Sequence, residues 1–246
     1  MASDVGVVIP AAGKGERLGS RASKAFVRLA GEPLVLHALR AFQASPAVGW
    51  IVVAARVEDR ARLQALVRAH RLTKVCDVVA GGASRSASVA RGVAALPAQA
   101  TWVVVHDAAR PCLGPRFIES IITQAKRYGA IACGIPASVT VKAVDVNQRV
   151  RMTLDREGLS FIQTPQAFRR DWWVEAMSRV DHQLDGMPDD VALLEWAGYP
   201  VRIVSGDPLN IKVTTKDDLV LADTIMQQRF GSPIDSRHLP LRRVRL

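Results

Sequence analysis

The sequence is poor in aromatic residues and cysteines and has no long apolar run, and each absence narrows what the protein can do. Aromatic residues make up 5% of the 246 residues, too few to indicate a surface that stacks nucleic-acid bases. The cysteines, Cys76, Cys112 and Cys133, are odd in number and lack CxxC spacing, which argues against a disulfide framework and a zinc site. No stretch approaches the roughly 18 uncharged apolar residues of a membrane span.

The first residues also lack the basic region that precedes the apolar core of a secretory signal, and Asp4 places a charge there. With the sparse cysteines, this predicts a cytoplasmic protein. Hydrophobic residues account for 49% and charged residues for 23% of the chain. That balance is ordinary for a globular protein, and the length suits one large α/β domain.

Positive charge exceeds negative charge, with a net charge of +10. Such an excess is compatible with nucleic-acid binding, but a site for a small polyanion explains it equally well. Part of the excess lies in residues 231–246, which contain four arginines and a single acidic residue. We therefore favour a small anionic ligand over nucleic acid, and we expect residues 231–246 to form a basic, mobile tail behind a single domain of residues 1–230.

Apolar runs typical of buried strands alternate with helical patterns along the chain. The predicted strands are VGVVIP (5–10), WIVVAA (50–55), KVCDVVA (74–80), TWVVVH (101–106), AIACGIP (130–136) and VRIV (201–204). The predicted helices cover 33–42, 57–70, the run after GGAS, 115–128, 170–181, 189–197 and 216–228. Near-continuous apolar strands alternating with helices predict a Rossmann-like α/β fold, with a mostly parallel sheet covered on both faces.

Three of these strands end in unusual polar sequence: PAAGKGER, GGASRSAS and HDAARP. Because ligands of open α/β sheets bind at the carboxyl ends of the strands, we expect the three segments to converge on one crevice. The glycines of the first segment let the backbone approach a phosphate. Leu18 excludes the dinucleotide fingerprint GxGxxG, and Gly15 after Lys14 excludes a Walker A loop. A loop with an added basic cluster remains, suited to a triphosphate.

Residues 138–157 break the rhythm, because polar and apolar residues alternate there around a predicted turn at Asn147-Gln148. This pattern predicts a protruding β-hairpin, or arm. A lone hairpin is a poor structure, so pairing with a second copy of the chain is physically reasonable. A solvated edge ribbon is the alternative.

The motifs PAAGKGERLG, GGASRSASV, HDAARP, TPQAF and NIKVT, in this order and spacing, resemble the family of 2-C-methyl-D-erythritol 4-phosphate cytidylyltransferases from about residue 5 to 228. The resemblance implies transfer of a cytidylyl group from CTP to a sugar-alcohol phosphate, release of pyrophosphate, Mg²⁺ as cofactor, a place in non-mevalonate isoprenoid synthesis, and a homodimer joined by the arm. The alternatives are a cytidylyltransferase for ribitol 5-phosphate or another sugar phosphate, and a non-catalytic binding module on the same scaffold.

The resemblance also implies roles for residues at matching positions. The catalytic cations would be Arg17, Lys24 and Lys212. CTP binding would fall to Ala11, Ala12, Gly13, Gly15, Gly82, Ser88 and Asp107, of which Asp107 would also hold the metal. Acceptor binding would fall to Arg110, Thr140 and Arg156, the last two reaching across the dimer interface.

The chemistry agrees with a site built on cations. Attack by a phosphate oxygen on the α-phosphorus builds charge on the equatorial and leaving oxygens, and the nucleophile is already an anion. Positioning and fixed positive charge therefore matter more than a strong general base. Plainer interpretations stand beside these roles: Asp107 and Arg110 as a buried structural pair, Arg85 as a solvated charge, and His106 as a packing residue.

Three segments depart from the family pattern. Ser23 and Ala25 flank Lys24 where the family usually has proline and glutamine, and Val139 replaces a frequent aspartate of the arm. Pro188 stands where a Thr-Asp-Asp/Glu pattern is expected, and proline offers neither a hydroxyl nor an N–H. The departures lie on the acceptor side and leave the triphosphate residues unchanged.

Overall fold

The computed structural model describes residues 3–13, 15, 23–180 and 187–231. The strands in these residues are β1 (Val5–Pro10), β2 (Arg28–Leu29), β3 (Glu32–Pro33), β4 (Trp50–Ala55), β5 (Val75–Ala80), β6 (Trp102–Val105), β7 (Ala130–Pro136), β8 (Val141–Val144), β9 (Val150–Leu154), β10 (Ser160–Arg169) and β11 (Arg202–Ser205). The helices are α1 (Leu34–Ala44), α2 (Arg60–Ala69), α3 (Arg85–Ala95), α4 (Pro115–Tyr128), α5 (Arg170–Arg179), α6 (Ala192–Trp196) and α7 (Lys216–Phe230).

A seven-stranded sheet forms the centre of the fold, in the order β11-β7-β10-β6-β1-β4-β5. Strand β10 runs antiparallel to its neighbours β6 and β7, and the other recorded pairs of this sheet are parallel. The predicted mostly parallel α/β architecture is confirmed. β1 lies between β4 and β6 in this order. The glycine-rich segment that follows β1 therefore begins near the centre of the sheet, at the edge formed by the carboxyl ends of the parallel strands.

Both faces of the sheet are covered, as near-continuous apolar strands require. On one face, Val7 and Ile9 of β1 pack in a cluster with residues of α1, α2 and α4. On the opposite face, Val8 packs with residues of α3, α5 and α6. A smaller cluster joins α7 to Leu29 and Leu34. Because successive side chains of a strand point to opposite faces of the sheet, β1 contributes residues to both hydrophobic cores.

Among the described strands of the central sheet, β10 is the one that the sequence patterns miss. No strand is predicted for residues 160–169, because Gln163, Thr164 and Gln166 interrupt the apolar run. The structure buries these polar side chains and pairs them. Gln163 exchanges hydrogen bonds with the backbone of Asp207, at 2.9 and 3.1 Å. Polar residues in a central strand are tolerated because each finds a partner.

The predicted arm is a separate two-stranded antiparallel sheet of β8 and β9. Gln148, in the predicted turn, has a φ of 63°, which matches a tight reversal at that position. Large apolar side chains of the arm are exposed, and Val146 at its tip is 94% exposed. Apart from Gly231, the predicted basic tail lies outside the described residues. Within the described part of the chain, no helix has the length and apolar character needed to cross a membrane.

Candidate active site

A cavity of about 460 Å³ lies at the carboxyl ends of β1, β5 and β6. Its walls come from residues 11–13, 82–85 and 107–109, together with Lys24 and Lys212. The three polar strand ends therefore converge on one crevice, as predicted. Parallel strands bring segments from distant parts of the sequence to the same edge, and the crossover helices leave that edge open.

One side of the cavity is built from small residues and backbone. Gly15 has a φ of 78°, and a Cβ at this position would lie 3.0 Å from the Cβ of Lys24. Glycine is therefore needed both for the backbone conformation and for the close approach of the two segments. The Lys24 N–H donates to the carbonyl oxygen of Gly13 at 3.4 Å. This contact brings Lys24 back over the glycine loop, where it lines the cavity.

The first turn of α3 forms the next part of the wall. The Gly82 N–H donates to Ser88 Oγ at 3.0 Å, and the Ser88 hydroxyl donates to the Ser84 carbonyl at 2.8 Å. A Cβ on Gly82 would lie 2.4 Å from the Cβ of Ala87. The Ser84 side chain caps the helix by accepting from the Ala87 N–H. Ser88 thus orders the turn that brings Gly82 to the cavity.

Asp107 occupies the centre of the opposite side. Its Oδ1 lies 3.0 Å from Nε of Arg85, and its Oδ2 lies 2.7 Å from Nζ of Lys212. Burial alone would raise the pKa of the Asp107 carboxyl. The charges of Arg85, Lys212 and Arg110 outweigh burial and hold the pKa well below its usual range. Asp107 is therefore an anion held between two cations.

Asp190 completes this network from the far side of Arg85. Its carboxylate receives two guanidinium hydrogen bonds from Arg85, at 2.9 and 2.8 Å. Gln166 Oε1 accepts the backbone N–H groups of Asp190 and Val191. Burial raises the pKa of the Asp190 carboxyl, while Arg85 opposes the shift. Sequence reasoning missed Arg85 and Asp190 as site residues, since 105 positions separate them and neither stands in a spacing that signals a pair.

The Arg110 guanidinium is directed elsewhere. It is buried and donates to the Asn210 carbonyl at 2.7 Å, while its Nε has no hydrogen-bond partner among the residues that the structure describes. The ion pairs recorded for the Asp107 carboxylate are with Arg85 and Lys212. The side chains of Asp107 and Arg110 therefore do not form the structural pair that was the alternative interpretation, although the charge of Arg110 contributes to lowering the pKa of Asp107.

His106 lies directly behind this site. Its Nε2 is 3.0 Å from the Arg110 carbonyl oxygen, and its Nδ1 is 3.2 Å from Thr164 Oγ1. The Thr164 hydroxyl also accepts the Asp107 N–H at 3.0 Å. Burial lowers the pKa of His106 to about 4, so the imidazole is neutral at pH 7.

The remaining predicted site residues lie away from the cavity or outside the description. Thr140 and Arg156 belong to the exposed arm, where Arg156 donates to the Ser138 carbonyl at 3.2 Å. Neither lines the cavity of its own chain. Arg17 lies outside the described residues. The described residues thus bring together Ala11, Ala12, Gly13, Gly15, Lys24, Gly82, Ser88, Asp107 and Lys212.

The residues present fit a magnesium ion that is held mainly by substrate phosphates. In the described part of the chain, no group of three or more His, Cys, Asp or Glu side chains could hold a metal by themselves. Mg²⁺ at phosphate sites usually needs only one or two carboxylates. Asp107 supplies one ionised carboxylate at the cavity, and its Oδ2 partner, Lys212, has a side chain 41% exposed. That lysine has room to move aside.

Known proteins with the same motifs match nearly the whole chain. Residues 5–228 match the family described as IspD, 2-C-methyl-D-erythritol 4-phosphate cytidylyltransferase. The protein of that name from Pelotomaculum thermopropionicum is 41% identical over 229 residues, 92% of this chain and 96% of the relative. The one from Dehalococcoides mccartyi is 38% identical over 224 residues, 91% of this chain and 96% of the relative.

Solved structures agree with the fold. The crystal structure of 2-C-methyl-D-erythritol 4-phosphate cytidylyltransferase from Thermus thermophilus superposes with a TM-score of 0.73 at 30% identity, over 92% of this chain and 100% of that one. The 4-diphosphocytidyl-2C-methyl-D-erythritol synthase from Anaerococcus prevotii superposes with a TM-score of 0.76 over 92% of this chain and 99% of that one. At 24% identity, the second likeness supports the fold alone.

Proposed function

This chain belongs to the 2-C-methyl-D-erythritol 4-phosphate cytidylyltransferase family, and from that membership we propose the reaction it performs. The enzyme transfers a cytidylyl group from CTP to 2-C-methyl-D-erythritol 4-phosphate, giving 4-diphosphocytidyl-2-C-methyl-D-erythritol and pyrophosphate in the non-mevalonate pathway. The observation that carries the assignment is the cavity in which Asp107 lies between Arg85 and Lys212, facing the glycine loop.

CTP occupies this cavity in our proposal. The backbone of residues 11–13 and Gly15 approaches the triphosphate, because glycine leaves room for phosphate oxygens at the N–H groups. Lys24 adds a cation that the contact with Gly13 brings over the loop. The cytosine lies on the Gly82 and Ser88 side, where small residues leave the first turn of α3 accessible.

The chemical step then needs position and charge more than proton transfer. A phosphate oxygen of the acceptor forms a bond to the α-phosphorus of CTP, and the bond from that phosphorus to the pyrophosphate oxygen breaks. Negative charge grows on the equatorial and leaving oxygens. Lys24 and Lys212 stabilise that charge, and with Arg17, which lies outside the described residues, they form the proposed catalytic set.

Asp107 is the proposed magnesium ligand. The ion, when bound, neutralises phosphate charge and so favours departure of pyrophosphate. Asp107 keeps its negative charge across the physiological pH range, because the surrounding cations hold its pKa low. Arg85 keeps the carboxylate oriented through Oδ1, while Oδ2 lies beside the partly exposed ammonium group of Lys212. The carboxylate is thus ready for a cation at the exposed side of the cavity.

The acceptor is proposed to bind between two copies of the chain. Thr140 and Arg156 lie on an arm whose large apolar side chains, Val146, Val150 and Met152, are exposed by 94%, 60% and 56%. Burying them against a second copy would give a homodimer in which each arm adds its hydroxyl and guanidinium to the other copy's cavity. Arg110 remains a proposed acceptor residue, although its buried guanidinium donates to Asn210 and does not line the cavity. We propose that the protein is located in the cytoplasm, because a chain with few cysteines is typical of a reducing compartment.

Pyrophosphate release tests the reaction and its acceptor together. With CTP and Mg²⁺, we expect release with 2-C-methyl-D-erythritol 4-phosphate and little with ribitol 5-phosphate. Lys24→Ala should reduce the rate on the order of 10²–10³-fold. Lys216→Ala, an exposed lysine of α7, is the matched control and should keep the rate. Release with ribitol 5-phosphate alone would contradict the acceptor, and no release with either would contradict the reaction.

The oligomeric state tests the arm. Met152→Asp changes an exposed residue of β9, so the isolated chain should fold normally. We expect sedimentation to show a dimer for the native protein and a monomer for the variant, with a raised KM for the acceptor. A native monomer with full activity would contradict the proposed role of Thr140 and Arg156.

A further inference from the structure

The His106 imidazole is wholly buried between the turn that carries Asp107 and strand β10, and the chemistry described above makes no use of it. Its exposure is 0%. One ring nitrogen contacts the backbone of the turn at Arg110, and the other contacts the Thr164 hydroxyl. The ring of Phe42 meets it edge-on, with the centroids 5.3 Å apart. A buried polar ring with two defined partners is more constrained than packing alone would require.

The partners fix the direction of every hydrogen bond in this group. The Arg110 carbonyl oxygen can only accept, so Nε2 of His106 carries a hydrogen and donates to it at 3.0 Å. The Asp107 N–H donates to Thr164 Oγ1, which leaves the threonine's own hydrogen for Nδ1. The neutral imidazole with its hydrogen on Nε2 satisfies all three bonds at once.

These bonds tie both ends of one turn to strand β10. The turn is closed by the Arg110 N–H, which donates to the Asp107 carbonyl at 3.0 Å. Thr164 holds its first end through the Asp107 N–H, and His106 holds its last end through the Arg110 carbonyl. The ring therefore acts as a strut across the turn, anchored on β10.

The same turn also carries the segment that contains Lys212. The Val213 N–H donates to the Ala109 carbonyl at 2.8 Å, in the middle of the turn. A shift of the turn would thus displace both the Asp107 carboxylate and the Lys212 ammonium group, which are 2.7 Å apart. A displacement near 1 Å at a reacting centre can cost on the order of 10²-fold in rate.

We propose that His106 is a positioning residue for cytidylyl transfer, acting through its two hydrogen bonds to hold Asp107 and Lys212 in register with the reacting phosphates. The inference rests on the proposed reaction. It assigns His106 no contact with substrate and no proton transfer. It predicts two observations: the imidazole carries its hydrogen on Nε2, and substitutions at His106 lower turnover by more than their effect on stability explains.

Three substitutions at His106 separate its two bonds. In His106→Asn, the amide oxygen can replace Nδ1 as the acceptor for the Thr164 hydroxyl, but the bond to the Arg110 carbonyl is lost. In His106→Gln, the amide nitrogen can replace Nε2 as the donor to the Arg110 carbonyl, but the bond to Thr164 is lost. Phe keeps the ring and loses both. We expect kcat of His106→Phe to fall on the order of 10- to 100-fold, with Asn and Gln between Phe and the native enzyme. KM for CTP should change less than about threefold, because the lost alignment acts in the transition state.

Two sets of variants guard against a general folding defect. His37 is also buried, and its Nε2 lies 2.9 Å from the Leu29 carbonyl, so His37→Phe removes a comparable bond away from Asp107. It should lower the thermal midpoint by a similar amount and leave kcat unchanged. Thr164→Val should also lower kcat, and Thr164→Ser should keep the native rate. Because both His106→Phe and Thr164→Val break the His106–Thr164 bond, the double variant should lose less than the product of the two single losses.

Nitrogen-15 NMR of the native histidine side chains tests the geometry without turnover. The His106 signals should show Nε2 protonated and Nδ1 unprotonated. The opposite tautomer would overturn the inference even in an active enzyme, as would a loss of kcat no greater than that of His37→Phe or additive losses in the double variant. A native protein that lacks transferase activity but shows the Nε2–H tautomer would instead contradict the proposed function.

Discussion

The two walls of the cavity are built on different principles. The glycine wall, formed by residues 11–13, Gly15 and Lys24–Ala25, is mostly backbone and small side chains contributed by one stretch of chain. The charged wall consists of Arg85, Asp107 and Lys212, with the buried Asp190 behind Arg85, and these residues come from four distant segments. One wall offers space and N–H groups, and the other offers charges that already neutralise one another.

The difference shows what each wall contributes. Backbone groups need no partner from afar, so a local motif is enough to make a phosphate loop. Buried charges are costly unless they are paired, so the charged wall exists only once the sheet has assembled. We therefore expect substitutions in the charged wall to affect folding and catalysis together, and those in the glycine wall to affect mainly ligand binding and turnover.

The largest expected effect is that of Lys212→Ala. The variant removes a cation that lies 2.7 Å from Asp107 and that we propose to stabilise the transition state. We expect kcat/KM to fall on the order of 10²–10³-fold, measured by pyrophosphate release. Lys216→Ala, four positions further along, should stay within about twofold. Equal rates for the two variants would remove Lys212 from the catalytic set.

Asp190→Asn tests the folding role of the charged wall. The change takes the negative charge from a buried carboxylate that receives two bonds from Arg85. Breaking a fully buried pair costs about 3–5 kcal/mol. In the variant, Arg85 still pairs with Asp107, and the Arg85 side chain is 30% exposed. The cost should therefore be smaller, and we expect a loss of about 2–3 kcal/mol in the free energy of unfolding.

Denaturant unfolding monitored by tryptophan fluorescence measures this loss, and CTP titration measures its effect on binding. Asp189→Asn is a useful control, since Asp189 lies beside Asp190 and its carboxylate accepts only the Ala192 N–H among the recorded bonds. A loss below about 0.5 kcal/mol for Asp190→Asn, the usual range of surface changes, would show that the charged wall does not need Asp190.

Gly15→Ala tests the glycine wall. The φ of 78° and the 3.0 Å approach to Lys24 Cβ mean that a methyl group must displace the lysine or strain the loop. We expect about a tenfold loss of kcat/KM, because the native loop conformation would cost about 1–2 kcal/mol of strain. A loop that relaxes to avoid this strain loses activity while the free energy of unfolding changes little. At Gly114, a Cβ would have no neighbour within 4 Å in the described part of the chain, so Gly114→Ala should leave the rate unaltered. A native rate for Gly15→Ala would show that the loop adapts freely.

The smallest effect is expected at Asp218, which anchors α7 just after Lys212. A hydrogen bond from the Thr214 hydroxyl and the N–H groups of Thr214 and Thr215 lower the pKa of Asp218 from its ordinary value of 3.8 to about 2. The folded state therefore gains stability from the ionised carboxylate, fully above about pH 4, and loses that gain as pH falls toward 2.

Because Asp218 is only partly buried, Asp218→Asn should cost only about 0.5–1 kcal/mol. Thermal unfolding at pH 7 and at pH 3 measures the cost, which should shrink at the lower pH. A cost that grows as the pH falls would contradict the assigned hydrogen bonds.

Most of the sheet could be predicted from periodicity. The strand VGVVIP and the helix of residues 115–128 have the predicted bounds, because an apolar run or a helical stripe is a local signal. The helix predicted for 189–197 is shorter, at Ala192–Trp196, and the Asp189 carboxylate accepts the N–H of its first residue, Ala192. Strand β10 could not be predicted, because its burial depends on partners for Gln163 and Gln166 that only the tertiary fold supplies.

The same limit applies to the site. The glycine loop and the residue Asp107 follow from short motifs at strand ends, and the structure brings them to one cavity. Arg85 carries no such signal, since an arginine in the first turn of a helix is usually solvated. Its pairing with Asp190 depends on how α3 packs beside the segment before α6, which no local pattern specifies. Ion pairs between residues far apart in the sequence are therefore the part of the site that is hardest to predict from the sequence.

Transfer of label from CTP is the measurement that tests the central claim most directly. With CTP labelled in its α-phosphate, 2-C-methyl-D-erythritol 4-phosphate and Mg²⁺, we expect the label to appear in the cytidylylated acceptor and not in pyrophosphate. Lys212→Ala should slow its appearance and Lys216→Ala should not. Label that remains in CTP with the native protein, or that appears in pyrophosphate, would contradict cytidylyl transfer at this cavity.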